Sequence, residues 1–202
     1  MNRKPDLSTA DIQAIPGMDN PAPPWHVGAR SRPEAEMTET TFTPGPDSAR
    51  AFRDALGCYG TGVTVITAQS THGPAGITAN SFASVSLEPA LVLWSLANDS
   101  ARFGTFANTR HYAIHVMAEG QHAIAQRFAL DGLDFDGVDW APGLNGVPTL
   151  VGALARFDCE IQARHPAGDH LILVGQVLRA THRPGKGLMF KRGQYGGFTD
   201  LL

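Results

Sequence analysis

One stretch constrains this chain most. Gly76-Ile77-Thr78-Ala79-Asn80-Ser81-Phe82-Ala83-Ser84-Val85-Ser86-Leu87-Glu88-Pro89 is followed at once by Leu91-Val92-Leu93-Trp94-Ser95-Leu96. The pattern reads as two strands with hydroxyl and amide side chains where a packed core would carry Val or Leu. Small polar residues leave room beside the backbone and offer hydrogen bonds. A flat, polar-edged ligand needs such a surface; a packed core does not.

The rest of the chain frames that surface. The first 46 residues carry eight of the 14 prolines, including Pro21-Ala22-Pro23-Pro24, and their apolar residues follow no period. They read as a disordered or loosely attached arm, with residues 47–202 as one folded domain. Asp47-Ser48 is expected to cap a helix through Leu56, with Ala51, Phe52 and Ala55 on its apolar face. Thr61 to Thr67 is rich in β-branched residues and reads as a strand. Ser70 to Pro74 is a turn by composition. After the two strands quoted above, Asn98-Asp99-Ser100 caps a helix over 101–108. His111 to Met117 is a strand and Glu119 to Ala129 a helix. Residues 131–149 form a Gly/Pro/Asp-rich connection around Val138-Asp139-Trp140. Three more strands cover 154–163, 170–181 and 188–191. Successive strands with a few short helices point to a mainly β fold, a closed or nearly closed barrel.

Composition excludes several classes. Apolar residues make up 43%, charged residues 17%, and the formal net charge is −3. A nucleic-acid binder usually shows a basic stripe, and no Lys/Arg-rich run is present. No run approaches the roughly 20 apolar residues of a membrane span. No apolar run follows a basic N-terminus, so no signal peptide is expected. Cys58 and Cys159 fit no zinc or redox spacing and read as buried free thiols, which places the chain in a reducing, cytoplasmic compartment. His111 and His115 share a strand face, but spacing supplies no third ligand, so no metal site is expected. Gly60-Thr61-Gly62 lacks the third glycine of a dinucleotide fingerprint and precedes a strand rather than following one.

The chain resembles the short-chain flavin reductases, the reductase components of two-component flavin-dependent monooxygenases. The segments that carry the resemblance are Phe52-Arg53-Asp54-Ala55-Leu56-Gly57, Thr61 to Thr67, Gly76 to Phe82, Ser84 to Pro89, Leu91-Val92-Leu93, Gly168-Asp169-His170 and Phe190 to Gly196. The resemblance implies a split β-barrel, a homodimer, FMN or FAD as flavin, and NADH or NADPH as donor. It also implies that reduced flavin leaves for a partner oxygenase. The sequence chooses neither between the flavins nor between the dinucleotides. A flavin-binding electron-transfer or carrier module without NAD(P)H turnover is the alternative, since fold does not fix function.

The resemblance implies site residues as well. Gly76, Thr78, Asn80 and Ser81 are expected along the flavin ring and ribityl chain; a polar face of an exposed strand is the other reading. Ser95, Leu96, Ala97, Ser100 and Ala101 are expected near the flavin, with the helix start at Ser100 facing its phosphate and Arg102 as a charge partner. Arg127 and Phe128 either approach the flavin or are, respectively, solvated and core. His170 is expected to face the nicotinamide, with Asp169 orienting its loop or ring. Phe190, Lys191, Arg192, Gly193 and Tyr195 form the last patch, with the cations near the dinucleotide phosphates or simply solvated.

Overall fold

The computed structural model describes residues 39–199. Helix α1 (Ala49–Leu56) leads into strands β1 (Thr61–Gly62), β2 (Thr64–Ser70), β3 (Gly73–Ala79), β4 (Ala83–Leu87) and β5 (Ala90–Ala97). Helix α2 (Phe103–Asn108), strand β6 (His111–Val116) and helix α3 (His122–Leu130) follow. The chain closes with the short strands β7 (Trp140–Pro142) and β8 (Pro148–Leu150), the long hairpin β9 (Ala155–Ala167) and β10 (His170–His182), and β11 (Leu188–Lys191) and β12 (Gln194–Gly197).

Every strand pairing is antiparallel, and the seven-stranded sheet has the order β3-β2-β6-β9-β10-β5-β4. Its two edge strands, β3 and β4, are consecutive in sequence and joined only by Asn80-Ser81-Phe82. Laid flat, seven strands would separate those edges by about 29 Å. The linking residues span at most about 14 Å. The sheet must therefore curl until its edges nearly meet, and since β3 and β4 do not pair, the barrel is split at Asn80-Ser81-Phe82. A separate three-stranded sheet, β1-β11-β12, lies beside it.

Strand β2 shows how the core is divided. It is buried from Thr64 to Ala68 because both its faces are covered. Ile66 and Ala68 join Trp94, Leu96, Phe106, Tyr112, Ile114 and Leu173 in one apolar cluster. Val65 joins Val63, Met117, Phe128, Phe135 and Leu188 in a second. Trp94 is fully buried with its ring edge-on to Phe106 at 5.6 Å.

Several local expectations are corrected. Ser48 does not cap α1; its Oγ accepts Gly45 N–H at 2.9 Å and donates to Thr43 C=O at 2.9 Å, closing a 3-10 turn over Pro46–Ser48. Helix α2 starts at Phe103, two residues after the expected Ala101, because Ser100 Oγ accepts Arg102 N–H at 3.2 Å and holds a turn there. The β7–β8 hairpin and β12 lie where no strand was expected. Cys159 is buried as expected, whereas Cys58 is exposed; both are free thiols. The compact unit carrying the sheets begins at Thr43. The proline-rich arm expected over residues 1–46 lies, as far as residue 38, outside the described residues. No helix among the described residues is long and apolar enough to cross a membrane.

Candidate functional site

The seam of the barrel opens onto a cleft of about 1230 Å³. One wall belongs to the large sheet: Asn80 and Ser81 from the β3–β4 link, Ser95 from β5, Ala167 from β9, and His170 and Ile172 from β10. The opposite wall comprises the end of α1 with the loop after it, Thr61, and the β11–β12 hairpin from Phe190 to Gly193.

Register explains the sheet wall. Ile172 pairs with Ser95, and His170 pairs with both Ala97 and Ala167. Residues directly opposite in an antiparallel pair share a face, and so do residues two apart on one strand. Ser95, Ile172, His170 and Ala167 therefore present one surface. Leu96 lies on the other face of β5 and is fully buried in the core.

Three local devices hold the walls. Ser81 Oγ accepts Ser95 N–H at 3.0 Å and donates to Ser95 C=O at 3.2 Å, tying the link to β5. His170 follows a two-residue hairpin loop, Gly168-Asp169, with Gly168 at φ 64, a conformation that favours glycine. The His170 Nδ1 hydrogen bonds to Asp169 Oδ1 at 2.7 Å, which orients the ring and leaves Nε2 without a partner among the described residues. That bond from His170 holds the exposed Asp169 carboxyl below its ordinary range. On the opposite wall, Arg192 (φ 50) and Gly193 (φ 77) form the type I′ turn between β11 and β12. Arg192 N–H donates to Gly57 C=O at 3.1 Å, and its guanidinium donates to Cys58 Sγ at 3.1 Å, so the hairpin is stitched to the end of α1.

The donor set suits a flavin with a dinucleotide. The volume exceeds the roughly 300–1,000 Å³ of ordinary small-molecule pockets, so it admits more than one ring system. Asn80, Ser81 and Ser95 offer amide, hydroxyl and backbone groups on a floor of small side chains. Thr61 also lines the cleft, and its Oγ1, shielded from solvent, has no hydrogen-bond partner among the described residues. Arg53, Lys191 and Arg192 supply positive charge suited to phosphates.

Other expected site residues serve the fold and do not line this cleft. Thr78 Oγ1 donates to Ala125 C=O at 2.7 Å, anchoring α3. Gly76 lies under the Phe128 ring, which would sit 2.6 Å from any Cβ there. Phe128 is fully buried, 4.7 Å from the Phe135 ring. Arg127 pairs with Asp134 at 3.0 Å and bonds Asp136 C=O at 2.5 Å, bracing the loop after α3. The Arg102 Nη atoms bond the C=O groups of Ala129 and Leu130 at the end of α3, and its Nε has no partner among the described residues. Ser100 and Ala101 stay in the turn before α2, and that helix of six residues begins beyond them. Ala97 sits in the His170 row but outside the lining. Tyr195 packs between Phe190 (5.1 Å) and His122 (4.5 Å), beside a smaller hollow of about 420 Å³. His115 is fully buried, and among the described residues no three His, Cys, Asp or Glu side chains converge as a metal site would require.

Sequence reasoning missed the contribution of α1. Arg53, Asp54 and Tyr59 border the cleft, yet in sequence the first two are indistinguishable from the solvated face of a short helix and Tyr59 from an ordinary loop residue. Ala167 and Ile172 carry no chemical signal; only the position of His170 at the start of a strand could have indicated their row.

Comparison with known proteins agrees with this architecture. The chain is 51% identical over 161 residues to the FMN reductase (NADH) SmoA of Agrobacterium fabrum, covering 80% of this chain and 92% of that protein. It is 44% identical to the reductase component of the flavin-dependent trigonelline monooxygenase of Acinetobacter baylyi, over 72% of this chain but 48% of that one. The chain thus spans about half the length of some curated relatives it matches. The NADH:FAD oxidoreductase SgcE6 of Streptomyces globisporus, solved with NAD and FAD fragments, superposes with a TM-score of 0.73 at 36% identity, covering 79% of this chain and 98% of that one. Residues 56–199, which include the cleft lining apart from Arg53 and Asp54, match the model of the flavin reductase like domain, and the chain belongs to that family.

Proposed function

We propose that this chain is an NAD(P)H:flavin oxidoreductase that reduces FMN or FAD and releases the reduced flavin to a monooxygenase. The observation that carries the proposal is the cleft itself. It gathers the small polar floor of Asn80, Ser81 and Ser95, the tethered His170 and the cationic hairpin in one space. The bound nicotinamide and flavin supply hydride donor and acceptor, so no protein acid or base is needed. The chain binds and orients the two and excludes water. Asn80, Ser81 and Ser95 meet the flavin edge. His170, with Nδ1 committed to Asp169, offers Nε2 to the nicotinamide carboxamide. Lys191 and Arg192 meet phosphates.

The working assembly is a homodimer in the cytoplasm. Helix α1 buries none of its residues, although Phe52 and Leu56 lie on its apolar side, and Leu87 on the edge strand β4 is 95% exposed. A second copy of the chain is the cover that such surfaces need. The free thiols of Cys58 and Cys159 suit a reducing compartment.

The test is absorbance at 340 nm with NADH or NADPH, with and without added FMN, FAD or riboflavin. Fast oxidation that depends on added flavin is expected. No oxidation with any pair, from protein that retains yellow flavin, would point to a carrier module instead.

A further inference from the structure

The end of α1 and the loop after it carry side chains that make no close side-chain contact of charge or ring among the described residues. Asp54 forms no ion pair among the described residues. Tyr59 is 78% exposed, and its ring stacks on no other aromatic among the described residues. Both border the cleft, as does Arg53. Their backbone is nonetheless fixed. Gly57 N–H bonds Arg53 C=O at 2.8 Å, Tyr59 N–H bonds Leu56 C=O at 3.1 Å, and Gly57 C=O receives Arg192 N–H. A fixed segment thus presents to the space faced by Lys191 and Arg192 a carboxylate that forms no ion pair, and a ring that stacks on no aromatic, among the described residues; Asp54 acts on Arg192 through its charge alone.

We propose that the segment 53–59 is the adenosine subsite of the nicotinamide dinucleotide and that Asp54 selects NADH over NADPH. This rests on the reductase reading above. An exposed phenol ring is a stacking platform for a purine at low entropic cost. The hairpin cations Lys191 and Arg192, which line the same cleft as Tyr59, suit the pyrophosphate. A carboxylate accepts hydrogen bonds from ribose hydroxyls, and it repels a 2′-phosphate by like charge. Arg53, adjacent on the helix, would favour a 2′-phosphate if it governed the site; the variants decide between the two.

The experiment uses the full chain with added FMN and three donors: NADH, NADPH and reduced nicotinamide mononucleotide, which lacks adenosine. Wild type must first turn over NADH; if it does not, the reductase reading fails and not the subsite alone. Given turnover, wild type is expected to prefer NADH. Asp54→Asn should raise the NADPH-to-NADH ratio of kcat/KM about tenfold. Tyr59→Ala should lower the NADH-to-mononucleotide ratio about fivefold, mainly through KM. Each ratio is taken within one variant, so partial unfolding cancels. A wild-type preference for NADPH, or either ratio staying within about twofold of wild type, would overturn the subsite.

Discussion

Ser81 Oγ takes both backbone polar groups of Ser95, accepting its N–H at 3.0 Å and donating to its C=O at 3.2 Å. A side chain thereby continues the β4–β5 ladder one step beyond β4, at the point where the barrel is split. The link between the two edge strands is pinned to the cleft floor, and the groups flanking it are aimed into the cleft rather than into solvent.

Replacing Ser81 with Ala removes both bonds and leaves two groups of a half-buried strand unpaired. The expected loss is about 1–3 kcal/mol of stability, the range for an unsatisfied buried polar group. Flavin KM should rise more than NADH KM, because Ser81 lies beside Asn80 and Ser95. Urea unfolding and steady-state kinetics read both. Equal changes in the two KM values would remove Ser81 from the flavin side.

His170→Ala should act on the other substrate. The ring is held by Asp169 at 2.7 Å and borders the cleft through the same register row as Ser95. Loss of the imidazole should lower kcat/KM for NADH about tenfold, equivalent to ~1.4 kcal/mol of transition-state binding, with flavin KM less affected. Asp169→Asn keeps the ring and loses its tether, so it should act in the same direction and more weakly. An unchanged NADH KM in His170→Ala would place the nicotinamide elsewhere.

How far the site could be read from sequence follows from these contacts. Asn80, Ser81 and Ser95 were visible because small polar residues in a strand pair contradict core packing. Leu96 and Thr78 were not separable from them, because alternation assigns faces only once register is known. Leu96 falls to the core, and Thr78 turns to Ala125 of α3. Arg102 was expected as a charge partner of the phosphate and Arg127 either near the flavin or solvated; in the structure both bond the backbone or acids around α3. The barrel was legible as a run of strands, but the three-residue strands β7 and β8 are too short to show a period. Asp54 was hidden because a helix face that lines a cleft and one that meets water have the same composition, and Tyr59 because a lone aromatic in the loop after α1 carries no pattern.

His115 gives the fold a pH dependence. Its Nδ1–H donates to Val65 C=O at 3.0 Å, and its Nε2 accepts Leu150 N–H at 3.1 Å. That pattern requires the neutral ring. Burial lowers its pKa from 6.5 to about 4, against the opposing effect of the Val65 bond. The unfolded chain therefore binds more protons between those values, and stability falls as pH drops from about 6.5 towards about 4, by ~3 kcal/mol in all. Above about 6.5 this contribution is fully present. Urea midpoints at pH 7.5 and 4.5 should differ less in His115→Gln than in wild type. An equal difference would mean that other groups carry the acid sensitivity.

Gly175 is required by Tyr112. A Cβ at Gly175 would meet Tyr112 Oη at 2.0 Å, its Cζ at 2.8 Å and Cys159 Cβ at 3.2 Å. The strands shift register beside Gly175, between Val174 and Gly175. Tyr112 is 1% exposed and its Oη has no well-aligned hydrogen-bond partner, while burial and the adjacent Cys159 hold the phenol far above its ordinary pKa. Gly175→Ala should cost about 1–3 kcal/mol by overpacking. Tyr112→Phe alone should cost little, since it deletes an unpaired hydroxyl. Together the two should be partly compensatory, because removing Oη clears the nearest clash while the Cζ contact remains. The expected coupling is about 1 kcal/mol or more, within the range for touching residues. Strictly additive unfolding free energies in the double variant would mean that the barrel yields elsewhere than at Tyr112.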